Sequence, residues 1–182
     1  MKWHPTPFSA SALAALASVT PIYASAKIYV SVEQAQKILF PNTPLIATPH
    51  LVSEAIQQQM TKASSVRHPF RGDRIWRAND GSWFIVDEVV GKHEMITYAA
   101  AIKPDGTVKG VEVLEYVESY GYEVAEPNWR QQFVGKQVTD PVKLGSDIQN
   151  ISGATLSCKH LTDGVKRLLV FHQPVLKNAS VK

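Results

Sequence analysis

Apolar residues recur at helical spacing near both ends of the chain and alternate with polar residues in its middle. Ser31 and Gln34 have the spacing of a capping box, and the residues after them predict a short helix that Pro41 ends. Thr48 followed by Pro49 predicts the start of a second helix, because a cap residue before a proline favours a first helical turn. The sequence therefore predicts two helices ahead of the central region.

From Arg74 the pattern changes to that of β-strands, with short segments rich in β-forming residues between turn signals. Residues 79–81 are Asn-Asp-Gly, a signal for a hairpin turn. Residues 103–106 contain a proline and a glycine that fit a tight turn. The four predicted strands are 75–77, 83–86, 95–102 and 107–117. Their short connections predict an antiparallel meander.

The last third of the chain contains a long irregular region and then a helix. Residues 118–144 are rich in glycine, proline, aromatic and charged residues, with one helical turn predicted at 128–133. A final helix is predicted from about Ser152 to Pro174. Its apolar stripe consists of Leu161, Val165, Leu168 and Leu169. The whole pattern predicts an α+β fold, in which an antiparallel sheet of four or more strands packs against N-terminal helices and a C-terminal helix.

The first 26 residues have the pattern of a secretory signal peptide. Lys2 and His4 precede an apolar run over 8–19, and Ala24 and Ala26 give an Ala-x-Ala cleavage site. The run is shorter than the roughly 20 residues that span a membrane. We therefore expect residues 1–26 to be removed and 27–182 to form a single domain in the periplasm or elsewhere outside the cytoplasm. An uncleaved N-terminal anchor is the alternative.

Composition narrows the classes of function. Lys and Arg number 19 and Asp and Glu 16, and the basic residues are scattered, which argues against a nucleic-acid partner. Cys158 is the single cysteine, so the chain forms no internal disulfide and no multi-cysteine metal or iron–sulfur site. No Cys-x-x-Cys-His run exists for a covalent haem. A metal site is not expected.

The most specific local sequence is Ile151 to Ser157, where small residues and a threonine stand at the start of the last predicted helix. Ser152 is the expected cap, and the first helical turn offers unpaired N–H groups and a positive dipole end to a phosphate. Gly153 and Ala154 leave room for a ligand beside Thr155. The alternative is that Ser152 only caps the helix and Thr155 is an ordinary first-turn residue.

This motif resembles the attachment sequence of the FMN-binding domain family, which includes peripheral flavin subunits of Na⁺-translocating NADH:quinone oxidoreductase and of Rnf complexes. The resemblance implies FMN joined by a phosphoester to Thr155, placed there by a separate flavin transferase that uses FAD. Residues 106–111 and the loop after them also resemble the family. The loop residues, which the resemblance places against the flavin, are Glu118, Ser119, Tyr120 and Gly121.

The chain departs from the family pattern at three places. Gln149 stands where relatives commonly have an aspartate, six residues before the threonine. Relatives often have Thr-Ser after the attachment threonine, where this chain has Ser157 and Cys158. Tyr120 replaces the usual loop proline. Tyr120 and Tyr122 either stack on the flavin ring or are packing residues.

The resemblance predicts an electron carrier in which no residue is catalytic. Because the chain has no Gly-x-Gly-x-x-Gly loop for a nucleotide, electrons must come from, or pass to, a membrane or periplasmic redox protein. One alternative is a ligand-binding or assembly subunit of an envelope complex that lacks flavin, and another is a flavin-dependent reductase of a small molecule. His93 is either a proton donor or a turn residue, and Cys158 either a packing residue or a redox partner.

Overall fold

A computed structural model describes Met1, residues 27–117, residues 120–177 and Ala179. Six strands form one sheet: β1 (Lys27–Ile28), β2 (Leu45–Ala47), β3 (Ile75–Ala78), β4 (Trp83–Val90), β5 (Met95–Ile102) and β6 (Val108–Tyr116). Their order is β1-β6-β5-β4-β3-β2, and every neighbouring pair is antiparallel. The predicted α+β fold is confirmed.

Four α-helices surround this sheet: α1 (Val32–Leu39), α2 (Glu54–Ser64), α3 (Pro127–Arg130) and α4 (Thr155–Phe171). A 3₁₀ turn, Gln131–Phe133, continues α3, so the helical turn predicted at 128–133 is confirmed. A second 3₁₀ turn covers Tyr122–Ala125, and a wide π turn, His172–Leu176, follows α4 and contains Pro174. Within the described ranges, no helix combines the length and the apolar composition that crossing a membrane requires.

The sheet separates two apolar clusters, because side chains on a strand alternate between its faces. On one face, Phe84 and Ala99 pack with Leu39 and Phe40 at the end of α1. On the other face, Ile85 packs in the larger cluster. The residues of α4 in that larger cluster are Cys158, Leu161, Val165, Leu168, Leu169 and Phe171. The predicted stripe of α4 is therefore confirmed as its buried face.

The local sequence predicted the start of α1 correctly and the start of α2 wrongly. The capping box of α1 is confirmed, since Gln34 N donates to Ser31 Oγ and Ser31 N to Gln34 Oε1. The prediction that the second helix starts after Thr48 is wrong, because Ser53 caps α2. The amides of Thr48 and His50 instead donate to backbone carbonyls beside β3, at 2.8 and 2.9 Å. Pairing with a strand thus overrides the local helix signal, and β1 and β2 were not predicted at all.

A buried ion pair fixes the middle of α4 over the sheet. Nε of Arg167 lies 2.7 Å from Oδ2 of Asp87, and the Tyr98 hydroxyl donates to the same oxygen over 2.7 Å. Arg167 also donates to the backbone carbonyls of His68 and Glu88. Burial lowers the pKa of Arg167, but Asp87 and Tyr98 together outweigh this effect, so the net pKa is raised. Because the charges are paired and bonded, this cluster ties the second half of α4 to the sheet.

Candidate functional site

Helix α4 begins at Thr155, and Ala154 occupies the position before its first turn. Gly153 has a φ of 86°, which reverses the chain, and Ala154 N donates to the carbonyl of Ile151 over 3.0 Å. The prediction that Ser152 caps the helix is therefore wrong: Ser152 lies inside this turn, and no side chain caps α4. The first-turn amides of α4 thus keep free donor capacity at the positive end of the helix dipole.

A groove of about 530 Å³ lies at this first turn. It is lined by Lys92 and His93 from the turn between β4 and β5, by Tyr120 from the loop after β6, and by residues 153–157. The space beside Gly153 is open, since a Cβ added there would meet no atom within 4 Å. The volume falls within the range of about 300–1,000 Å³ that ligand pockets have. The groove is therefore large enough for a cofactor-sized ligand.

The groove brings together several of the residues predicted for the site. Those that line it are Tyr120, Gly153, Ala154 and Thr155. Ser152 and Gly121 lie next to it in the chain without lining it, and Glu118 and Ser119 fall outside the described residues. Of the two tyrosines considered for stacking, Tyr120 lines the groove and Tyr122 does not.

Thr155 presents its hydroxyl to solvent. The residue is exposed, and its Oγ1 accepts a hydrogen bond of 3.0 Å from Nδ2 of Asn150. Because Asn150 is the donor, the Thr155 hydroxyl keeps its own proton for another partner. Sequence analysis did not identify Asn150, since the contact depends on the shape of the turn between the two residues. The only sequence feature that could have indicated this contact was a polar residue five positions before Thr155.

The segment before the motif is held by its backbone and by Asp147. The carbonyl of Gln149 accepts from Trp129 Nε1, and its amide donates to Gln132 Oε1, both over 2.7 Å. Both of these bonds are made by the backbone of Gln149, and the residue is exposed. Burial raises the pKa of Asp147, but hydrogen bonds from the Lys143 amide and the Lys136 ammonium hold it below its usual value. Asp147 is therefore a structural carboxylate that fixes the turn over 142–147.

Two further candidates from the sequence have distinct positions. His93 lines the groove, whereas Cys158 is fully buried beneath the first turn of α4. Burial raises the pKa of the Cys158 thiol, which keeps it protonated and unreactive. The burial and the neutral thiol match a packing residue. Across the described part of the chain, no three His, Cys, Asp or Glu side chains are grouped as metal ligands.

Comparison with known families identifies the region that carries the groove. Residues 91–170 match the sequence model of a family described as FMN-binding domain. The match begins in the turn that contains Lys92 and His93, includes β5, β6 and the loop of Tyr120, and ends inside α4. The resemblance inferred from the motif around Thr155 is thereby confirmed. A comparison with curated proteins finds no match.

Proposed function

We propose, from the match of residues 91–170 to the FMN-binding domain family, that this protein carries FMN on a phosphoester to Thr155 and serves as an extracytoplasmic electron carrier. The observation that carries the proposal is the exposed hydroxyl of Thr155, which lies in the first turn of α4 and lines the groove. A nucleophilic oxygen, a helix N-terminus and a ligand-sized space thus coincide within the matched residues.

The residues of the groove fit the chemical parts of FMN. The amides at the start of α4 and the helix dipole favour a phosphate bonded to Thr155. Lys92 and His93 add side chains that donate hydrogen bonds to anionic or carbonyl oxygens. Tyr120 supplies an aromatic face for a planar ring. Bound FMN supplies the capacity to accept and release electrons, which no side chain of the groove has.

Maturation requires a second protein and a defined bond exchange. The oxygen of Thr155 forms a bond to the phosphorus of the FMN half of FAD, and the bond between the two phosphates of FAD breaks. AMP leaves, and a base of the flavin transferase takes up the hydroxyl proton. The exposure of Thr155 supports this step, because a separate enzyme has to reach its oxygen. The hydrogen bond from Asn150 orients that oxygen before the reaction.

The proposed location and partner follow from the sequence. The signal-peptide pattern lies in residues 1–26, of which 2–26 are outside the described residues. A covalent tether suits a protein outside the cytoplasm, where a dissociable cofactor would be lost by dilution. The chain offers no nucleotide loop for a soluble hydride donor. We therefore propose that it exchanges electrons with a membrane or periplasmic redox protein.

The test is the intact mass of the exported protein after co-expression with a flavin transferase, followed by peptide mapping. The expected increase is the mass of FMN less one water, on the peptide that contains Thr155. Thr155→Val should remove the added mass, and Thr155→Ser should retain part of it because the hydroxyl remains. Ser152→Ala is the matched control, since it removes a nearby hydroxyl and should leave the flavin attached. Stoichiometric flavin on denatured Thr155→Val protein would refute the assignment.

Gln149 favours a second candidate, a ligand-binding or assembly subunit that lacks flavin. Its side chain stands where relatives commonly have aspartate, while only its backbone holds the local structure. A colourless product from a host whose transferase modifies another substrate would support this candidate. In that case Gln149→Asp should restore flavin if the carboxylate is what the transferase requires. Steady turnover of a small acceptor by the flavinylated protein would instead indicate a reductase.

A further inference from the structure

A buried tyrosine ties the loop of the groove to the helix that carries Thr155. Tyr116 ends β6 and is 1% exposed. Its hydroxyl donates to the backbone carbonyl of Tyr120 and lies 2.8 Å from Oγ of Ser157. Since the one phenolic proton goes to the carbonyl, the Ser157 hydroxyl donates to the Tyr116 oxygen. One side chain therefore connects the end of β6, the loop and the first turn of α4.

The backbone beside this pair leaves no room for a side chain. Gly121 has a φ of 86°, and a Cβ there would lie 2.6 Å from Ser157 Oγ and 2.7 Å from the Tyr116 hydroxyl. These separations are shorter than real Cβ contacts allow, so the loop lies directly on the two hydroxyls. Glycine satisfies both the backbone conformation and the close approach. The loop is thus fixed at the position that immediately follows Tyr120.

The anchored loop holds an aromatic side chain at the edge of the groove. Tyr120 is 81% exposed although it lines the same groove as Thr155. An aromatic ring that lines a ligand-sized groove, on a backbone fixed from beneath, is placed to stack on a planar ligand. We propose that Tyr116 and Ser157 are positioning residues, which hold Tyr120 so that its ring stacks on the isoalloxazine ring of FMN. This inference rests on the flavin site proposed above.

Flavin fluorescence tests the inference directly, because a tyrosine ring stacked on isoalloxazine quenches its emission. In the flavinylated protein, Tyr120→Leu should raise the fluorescence yield most. Tyr116→Phe and Ser157→Ala should each raise it as well, because each removes one bond of the connection and leaves Tyr120 in place. Tyr98→Phe is the matched control: it removes a hydroxyl that is equally buried and bonded, but in the cluster around Asp87. Its fluorescence yield should equal that of the wild type.

A second measurement does not require flavin. In the flavin-free Thr155→Val background, hydrogen exchange of residues 120–125 should accelerate about fivefold with Tyr116→Phe, as expected for the loss of one hydrogen bond. Tyr98→Phe should leave exchange in that segment unchanged. Melting temperatures of all variants show whether any effect is a general loss of stability.

The outcomes separate this inference from the proposed function. If Tyr120→Leu raises the yield but Tyr116→Phe and Ser157→Ala do not, the positioning role is overturned. If no variant at the three positions changes the yield, Tyr120 does not stack on the ring and the inference fails. Neither result affects the attachment at Thr155, which the mass measurement decides. If the mass measurement fails, the exchange experiment still decides whether Tyr116 anchors the loop.

Discussion

The start of α4 and its later turns both lie near a glycine and a buried tyrosine hydroxyl, but they differ in how closely those groups pack against the helix. A Cβ on Gly153 would meet nothing within 4 Å, whereas one on Gly164 would lie 2.7 Å from the hydroxyl of Tyr98. Thr155 is exposed, while Arg167 is 2% exposed and paired with Asp87. The same helix thus combines an accessible start with a tightly packed middle.

The difference separates polar groups that stabilise the fold from the groups proposed to hold the cofactor. Around Arg167 every charge has a buried partner, and burial together with Asp87 raises the pKa of Tyr98 well above its usual value. Such a shift is often a sign of an active site, but here it reflects a satisfied structural cluster. At the groove, the proposed attachment depends instead on access to the exposed Thr155.

The largest effect is expected from breaking the buried ion pair between Arg167 and Asp87. Arg167→Met leaves the Asp87 carboxylate buried without its partner, which should lower the free energy of unfolding by about 3–5 kcal/mol. The matched control is Lys159→Met, which breaks a more exposed pair with Asp163 on the same helix. Lys159→Met should lower the free energy of unfolding by less than about 0.5 kcal/mol. Urea denaturation measures both, and equal losses for the two variants would contradict the contrast.

Smaller effects on stability are expected from substitutions at Gly164 and Gly153. Gly164→Ala places a methyl group against Tyr98 and Val89, at 2.7 and 2.8 Å. The free energy of unfolding should fall by about 1–2 kcal/mol, a value that includes the better helix propensity of alanine. Gly153→Asn adds a side chain in open space, in a conformation that asparagine tolerates, and should cost less than about 1 kcal/mol. Thermal unfolding separates them, and a Gly164→Ala protein as stable as the wild type would show that the middle of α4 is not tightly packed.

The sequence predicted the elements whose local signals and tertiary contacts agree. The strand over 95–102 matches β5, because residues that favour strands end at a tight turn. The start of α2 was misplaced, since the amides of Thr48 and His50 pair with backbone far along the chain. No local pattern carries that information. The short strand β2 was missed for the same reason, because its pairing with β3 defines it.

The site was predicted in part for the same physical reason. Thr155 and its small neighbours form a contiguous motif, so the sequence alone located the helix start to within a few residues. Tyr116 and Ser157 are separated by 41 positions, and only the folded chain brings their hydroxyls together. Because Gly153 has a positive φ, α4 begins at Thr155 and not at the predicted Ser152. The backbone conformation of Gly153 therefore leaves Ala154 at the N-cap position and Thr155 in the first turn, at the groove.

The smallest effect is expected at the open end of α4, where Asn150 contacts Thr155. Asn150→Ala removes the hydrogen bond to Oγ1 and with it the contact that orients this oxygen before the phosphoester forms. The rate of flavin attachment at saturating FAD should fall about two- to tenfold, the effect of one hydrogen bond of about 0.5–1.5 kcal/mol. Stability should not change measurably, because the contact is exposed. Gln149→Ala is the neighbouring control and should keep the wild-type structure, because its backbone supplies the local bonds. An unchanged rate for Asn150→Ala would mean that access alone, without preorientation of the Thr155 hydroxyl, distinguishes the start of α4 from its middle.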